Sequence, residues 1–376
     1  MKICVLCSGF PSKRSASCVF VVKLCEEMAR QGHKVTIIAP QNLMRVWSGK
    51  DDKSPTSFVH KTATGEQIDV KRPYIFSFGK VPVLSKFNNF FRGLAVKRAV
   101  AKAGEQDAYY GHFWDNGYLL YNAVKRQKKP LFVATGESKI WFHSQGDSFP
   151  QYVSGVICVS SKNKEESIAV GLTTEEKCIV IPNATDTAVF RKMDKLQCRQ
   201  KLGIGEDLFV VIYVGQFIQR KGYNRVAAAI DRLNDKGIGV IFLGAAKEGL
   251  KPQCRGIIKC GLVAQNEIPQ YLNAADVYVL PTRAEGCCNA IVEAMACGLP
   301  IVSSDQPFNY DILDSTNALL VDPDSIDEIA NAIQTIKADS VLQDSMSNSS
   351  LMKAQELNLS TRAEKIINFI KEKSKK

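Results

Sequence analysis

In the segment EGCCNAIVEAMACGLP, residues 285–300, two carboxylates stand eight positions apart around small, mostly apolar residues. On one continuous helix, eight residues make a little over two turns, which would bring Glu285 and Glu293 near one face. Acids so placed are either the wet face of an amphipathic helix or two grips on one polyhydroxylated ligand. The wider segment VYVLPTRAEGCCNAIVEAMACGLPIVSSD reads strand, loop, helix, strand, with Glu285 and Gly286 in the loop. Gly286 lets backbone pass close to a ligand. The N–H groups of Cys287, Cys288 and Asn289 open the helix and suit a diphosphate or a sugar. Glu293, two turns inside, is placed to accept bonds from a ribose diol, as the late acid of dinucleotide folds does.

A second loop of the same kind is YVGQFIQRKG, residues 213–222. It follows a strong apolar strand and precedes a helix, the position at which open parallel sheets bind anions. Gly215, Gln216, Arg220 and Lys221 are its candidate ligands. Read alone, the loop is equally a basic surface turn.

The elements that must position these residues fall into two series. KICVLCS, CVFVVKLCEEMARQG and HKVTIIAP read strand, helix ending at Gly32, strand, which is a βαβ unit and therefore a parallel sheet. Strands follow at PLFVAT and GVICVS, and KCIVIPNATD closes the first half. The pattern restarts with LFVVIYVGQF, a helix over 223–237, and the strand IGVIFLGAA. NEIPQYLNAAD is a helix, VYVLPT a strand, CNAIVEAMACG a helix and LPIVSSD a strand; SIDEIANAIQTIKAD and STRAEKIINFIKEKSKK are C-terminal helices. The fold class is α/β, with the halves meeting near 184–200.

The chain has 376 residues, enough for about two domains, and an ordinary 45% hydrophobic content. No apolar run approaches a membrane span, and the start MKICVLCSGFPSKRS reads as a buried strand rather than a signal peptide. Twelve cysteines without a secretory signal suggest a reducing compartment. Cys4 and Cys7 flank two apolar residues on a strand that sends them to opposite faces, so they read as small hydrophobes rather than metal ligands. Residues 1–180 hold 26 Lys and Arg against 15 Asp and Glu, and residues 181–376 hold 23 of each. The whole net charge of +11 thus sits in the first half, which points to an anionic partner.

PTRAEGCCNAIVEAMACGLPIVSSD resembles the acidic motif region of the retaining glycosyltransferases of family four, the glycosyl transferases group 1, which have the GT-B fold. Other segments resemble that family in the same order: GFP followed by FVVKLCEEMARQGHKVTIIAP, then VICVSSKNKE, then KCIVIPNATDTAVF with Asn183, Asp186 and Phe190, then YVGQFIQRKG and NEIPQYLNAADVYVLPT. The resemblance covers nearly the whole chain. It implies two Rossmann-like domains facing each other across a cleft: 1–184 for the acceptor, 185–358 for the nucleotide-sugar, and a helix over 359–376 crossing back to the first. It implies that Lys221 binds the donor diphosphate, that Glu285 contacts the transferred sugar and that Glu293 holds the ribose. The family's arginine after the loop glycine is Gln216 here, and Arg220 is the substitute at hand. On the acceptor side the matching positions are Gly9, Thr135 and Gly136, with Thr135 where the family has histidine, Cys18 where a glycine is usual and Ala184 for the glycine after Asn183. His112, in DAYYGHFWDNG, matches a different common histidine near the acceptor cleft and joins Glu285 and Lys221 as a catalytic candidate; otherwise it is a buried structural residue.

The implied activity is transfer of a hexose from a nucleoside-diphosphate-sugar to a glycan or lipid-linked acceptor in polysaccharide or glycoconjugate synthesis. The anomeric configuration is retained and the leaving diphosphate oxygen helps deprotonate the acceptor. Positioning and charge stabilisation are then the protein's task. No cofactor and no metal are expected, and no Asp-x-Asp pair stands in the sequence. The alternatives are a GT-B enzyme of another class, a nucleotide-sugar epimerase or a phosphorylase, and a non-catalytic protein binding nucleotide or nucleic acid. No nucleic-acid module is recognisable.

Residues 70–104 contain eight basic side chains and no acid, together with Tyr74, Phe76, Phe78, Phe87, Phe90 and Phe91. Phe87, Phe90, Phe91, Leu94 and Ala95 fall on one helical face, with Arg92 and Lys97 off it. This pattern fits a membrane-interface helix, or a helix packing its apolar face on the first sheet. The first reading gives a cytoplasmic protein bound peripherally to an anionic inner membrane surface.

Overall fold

The computed structural model describes residues 1–12, 17–76, 88–143, 148–246 and 249–375. Lys80, Lys86, Phe78 and Phe87 of the basic stretch lie outside these residues. The chain divides into two compact units, one of Met1–Val159, Asn163–Ile181 and Leu359–Lys376, the other of Ser160–Lys162 and Pro182–Asn358.

The first unit holds β1 (Lys2–Leu6), β2 (Lys34–Ile38), β3 (Gln41–Asn42), β4 (Ser57–Lys61), β5 (Gln67–Lys71), β6 (Tyr74–Ile75), β7 (Ala108–His112), β8 (Leu131–Thr135), β9 (Gly155–Cys158) and β10 (Cys178–Val180). Eight of them form one sheet in the order β10-β9-β8-β7-β1-β2-β5-β4, and β3 pairs with β6. All neighbours in the large sheet are parallel except β4 and β5. Side chains of β1 alternate between two cores: Ile3 and Val5 face the helices Val19–Arg30 and Leu359–Lys373, while Cys4 and Leu6 face Asn88–Ala103 and Trp114–Val124. Cys7, just past the strand, joins the first core, so the two thiols are divided as the strand period requires. Ala363, Ile366, Ile367, Phe369 and Ile370 of the last helix are buried in that core.

The second unit holds β11 (Phe209–Val214), β12 (Ile238–Leu243), β13 (Ile257–Gly261), β14 (Val277–Leu280), β15 (Ile301–Ser304) and β16 (Ala318–Val321), ordered β13-β12-β11-β14-β15-β16 and all parallel. Covered on both faces, β11 and β12 are continuous apolar runs, FVVIYV and IGVIFL. Each fully buried Val or Ile contributes roughly 1.5–3 kcal/mol of transfer free energy. The strand order turns between β11 and β14, and the loops after those two strands are the ones that carry Lys221 and Glu285. Such reversals are where open α/β sheets take ligands.

The helix Asn88–Ala103 buries Val96, Ala99 and Val100, leaving Phe90 65%, Phe91 38% and Leu94 39% exposed. The packing alternative for its aromatic face is therefore corrected: that face points outward. Arg72 is also corrected as a membrane-facing cation. It is buried, donates to Ser54 Oγ at 2.6 Å and lies over the Phe10 ring.

Candidate donor and acceptor sites

In the second unit, β11 delivers the chain to Gly215 and Gln216, whose carbonyl accepts the Tyr213 hydroxyl at 2.9 Å. Gln216 itself is exposed. A single turn at Gln219–Lys221 ends on Gly222 with φ 78°, and a Cβ there would stand 2.5 Å from the Pro281 carbonyl oxygen. Only glycine meets both the backbone angle and the close approach. The loop is fastened to the one after β14. Arg283 N donates to Arg220 O at 2.9 Å, and the buried Arg225 donates to Gln219 O at 3.0 Å and to Pro281 O at 2.7 Å.

This fastening brings the charges together. Glu285 Oε1 lies 3.1 Å from Arg220 Nη1 and 3.1 Å from Lys221 Nζ, and accepts the Thr282 hydroxyl at 3.2 Å. Arg220 also donates to the Ala284 carbonyl. Burial works against the charge on Lys221, but the neighbouring Cys288 sulfur and Glu285 carboxylate prevail and hold its pKa above the usual lysine value. The ammonium stays charged at neutral pH.

Gly286, Cys287 and Cys288 are buried, and the helix runs Asn289–Ala296 with Cys288 as its N-cap. The Cys287 carbonyl accepts Asn183 Nδ2 at 2.9 Å, which fixes the helix entrance to the segment after β10. The two acids do not share a helical face. Glu285 belongs to the loop, and Glu293 lies a little over one turn into the helix rather than two, because the helix begins at Asn289. Glu293 is half-buried, and its carboxylate has no hydrogen-bond or ion-pair partner among the described residues. Burial raises its pKa from 4.5 to about 7. A half-buried acid without such a partner is suited to hydroxyl donors supplied by a ligand.

In the first unit, the ends of β1, β7 and β8 gather the other candidates. His112 is buried, its ring meets Phe20 and Phe113 edge-on, and its Nδ1 has no hydrogen-bond partner. Burial lowers its pKa from 6.5 to about 3, so the ring is neutral. Phe113 follows it at φ 73°, ψ 156°, a strained conformation for any residue but glycine. Asn116, fully buried, donates to His112 O at 2.5 Å and to Ser8 Oγ at 3.1 Å, tying the Gly9 loop to the His112 loop. A Cβ on Gly9 would meet Ser17 Oγ at 2.6 Å. Thr135 donates its hydroxyl to Glu137 Oε2 at 2.6 Å, and Gly136 N donates to the same oxygen at 2.9 Å. The Thr135 hydroxyl is thus engaged within its own turn.

Thr282, Arg225, Asn116 and Glu137 are absent from the sequence reading. Thr282 stands three residues before Glu285, a spacing visible in the sequence that by itself does not announce their contact. The other three act through contacts that no local spacing encodes.

A family model described as Glycosyltransferase Family 4 matches residues 19–189, and one described as Glycosyl transferases group 1 matches residues 209–339. Together they span most of the chain. The chain belongs to the family four, group 1 glycosyltransferases. This glycosyltransferase is 26% identical over 358 residues to a protein of Bacillus subtilis named as a teichuronic acid biosynthesis glycosyltransferase, covering 89% of this chain and 88% of that one. It is 31% identical over 170 residues to a lipopolysaccharide core biosynthesis glycosyltransferase of Rhizobium meliloti, covering 44% of this chain and 48% of that one. An Escherichia coli UDP-Gal:alpha-D-GlcNAc-diphosphoundecaprenol alpha-1,3-galactosyltransferase is 30% identical over 201 residues, 50% of this chain and 52% of its own. Among solved structures, sucrose-phosphate synthase of Thermosynechococcus elongatus superposes with a TM-score of 0.77 at 20% identity, covering 99% of this chain and 98% of that one. Anabaena HepE in complex with UDP and glucose gives 0.72 at 20% identity, with coverage of 99% and 100%. This glycosyltransferase has the GT-B fold.

Proposed function

We propose that this glycosyltransferase moves a hexose from a nucleoside-diphosphate-sugar to a glycan or lipid-linked acceptor of the cell surface, with retention of anomeric configuration and without a divalent metal. The observation that carries the reading is the convergence of Arg220 and Lys221 on Glu285 beside the entrance of the Asn289–Ala296 helix. Two fixed cations and a helix N-terminus stabilise charge that builds on a leaving diphosphate. Glu285 then takes sugar hydroxyls, and Glu293 takes the ribose diol. Gly215, Gln216, Gly286, Cys287, Cys288 and Asn289 line the donor's path, and Gly9, His112, Thr135 and Gly136 the acceptor's. The leaving oxygen receives the acceptor's proton on the face where the new bond forms. Among the described residues no three His, Cys, Asp or Glu side chains gather as a metal-binding group.

Names of the relatives support the acceptor class, since teichuronic acid, lipopolysaccharide core and a diphosphoundecaprenol-linked sugar are all cell-surface glycans or their carriers. A groove of about 410 Å3 in the first unit supports a lipid-linked acceptor. Phe90, Leu94, Tyr118 and Phe142 line it together with the charged Arg92, Lys97 and Asp115. Exposed Lys97 and Arg98 beside the outward Phe90 and Phe91 suit an anionic membrane surface reached from the cytoplasm. No helix among the described residues is long and apolar enough to cross a membrane.

Incubation with UDP-, GDP- and ADP-hexoses and polyprenyl-diphosphate-linked sugars, read by mass and by the anomeric coupling of the product, tests the reading. Transfer with retained configuration that survives EDTA is the expected result. Inversion or loss with EDTA contradicts it. Sedimentation with anionic vesicles at low salt tests the membrane contact, which Lys97→Glu with Arg98→Glu should abolish.

A further inference from the structure

Three groups meet at one oxygen of Glu285. Oε1 lies 3.1 Å from the Arg220 guanidinium and 3.1 Å from the Lys221 ammonium, and accepts the hydroxyl of the fully buried Thr282 at 3.2 Å. Thr282 is itself fixed, since its carbonyl accepts Ser304 Oγ. The carboxylate is mostly shielded and Lys221 nearly as much, so that attraction is weakly screened, whereas Arg220 is more exposed and its share is open to salt. A diphosphate seated on the same two cations would bring its own negative charge against this carboxylate, and like charges at that range repel and compete for the cations.

We propose that Glu285 is the internal counterion of Arg220 and Lys221, held there by Thr282, and that an incoming diphosphate takes the two cations from it. The proposal rests on the reading that these cations receive the donor's diphosphate. It gives the exchange a direction. An intact sugar donor supplies hydroxyls to the displaced carboxylate, whereas a nucleoside diphosphate without its sugar leaves that carboxylate unpartnered beside the phosphates. Glu285 therefore discriminates between donor and product and helps expel the product after transfer. Thr282 acts through Glu285 and is a positioning residue.

The test uses the full chain and inorganic pyrophosphate, a probe that needs no knowledge of the base, with affinities measured by calorimetry at low and high salt. Glu285→Gln should bind pyrophosphate roughly three- to tenfold more tightly than the wild type at low salt, with the gain shrinking at high salt. Thr282→Val should move the same way by a smaller factor, and Thr282→Ser should restore the wild-type value. The second pair keeps the test open should Glu285→Gln misfold. Adding Lys221→Ala to Glu285→Gln should remove the gain. Unchanged or weaker pyrophosphate binding in both Glu285→Gln and Thr282→Val overturns the counterion role and leaves the donor site standing. Pyrophosphate binding that is absent, or indifferent to Lys221→Ala, overturns the donor-site reading itself and the counterion with it.

Discussion

Arg225 joins the Pro281 carbonyl at 2.7 Å while its other terminal nitrogen holds the Gln219 carbonyl at 3.0 Å, so one buried guanidinium locks the loop after β11 to the loop after β14. Arg225→Met keeps much of the apolar stem and leaves both carbonyls without this donor. A destabilisation of about 2–4 kcal/mol is expected. Donor affinity should fall as well, because Lys221 and Glu285 lose their fixed separation. Denaturant melts alongside nucleotide titration check it; a fully stable variant with normal binding would contradict the clamp.

Lys221→Ala should lower turnover by about 10²–10³ while leaving the melting temperature near that of the wild type. The ammonium is asked to stabilise charge on the leaving group, and losing one such donor has that order of effect. Steady-state rates measured with saturating donor separate this from weakened binding.

Glu293 makes stability and binding depend on pH. Burial raises its pKa from 4.5 to about 7, so the folded state favours the protonated acid. That preference is fully present below the unfolded value and disappears as pH rises from about 4.5 through 7. Above that window the ionised carboxylate is a penalty of up to about 3 kcal/mol. Glu293→Gln should therefore melt several degrees higher than the wild type at pH 8, and the difference should close as pH falls toward 4.5. Ribose hydroxyls favour the ionised acid, so nucleotide binding near pH 7 should release a proton. Calorimetry in buffers of different ionisation enthalpy reads that proton directly.

His112 should show no titration in the working range. Its pKa is lowered from 6.5 to about 3 by burial, so the neutral ring contributes stability above 6.5 that is lost as pH falls toward 3. A pH–rate profile between 5.5 and 9 should carry no limb that disappears in His112→Gln. The orphaned Nδ1 makes the ring a neutral hydrogen-bonding group, and His112→Phe should raise the acceptor KM more than it lowers thermal stability.

Most strands of both sheets were legible because parallel strands buried on two faces are continuous apolar runs; FVVIYV and GVIC announce themselves, whereas β7, β13 and β16 were not read as strands. Nor was the hairpin of β4 and β5, since SFVHK and QIDVK are five-residue runs too short for their alternation to stand out. The helix Ser340–Glu356 left no periodic signal either. It is seventeen residues long yet buries only Met346, Ser350 and Ala354, and is fixed by its Asp339 cap and by Ser350 bonding the Leu299 carbonyl. The loops with Lys221 and Glu285 could be found from strand–loop–helix order. Their mutual contact could not, because residues 64 positions apart meet only through the sheet order that sets β11 beside β14. Arg72 shows the opposite failure, a cation counted with a surface charge run that the fold spends inside.

Phe369→Ala should cost about 3–5 kcal/mol. The ring lies in the core of the first unit, and Gly155 leaves room for it: a Cβ there would stand 2.7 Å from its edge. Urea unfolding monitored in that unit is the measurement.

That last helix also orders events during synthesis. Residues 182–358 are all translated before Ala363, Ile366 and Phe369. The nascent first unit meanwhile exposes the apolar patch those side chains later cover. The half of the chain translated first is therefore the half that finishes last, with a sticky surface open for the tens of seconds in which roughly 180 further residues are added at about 5–20 per second.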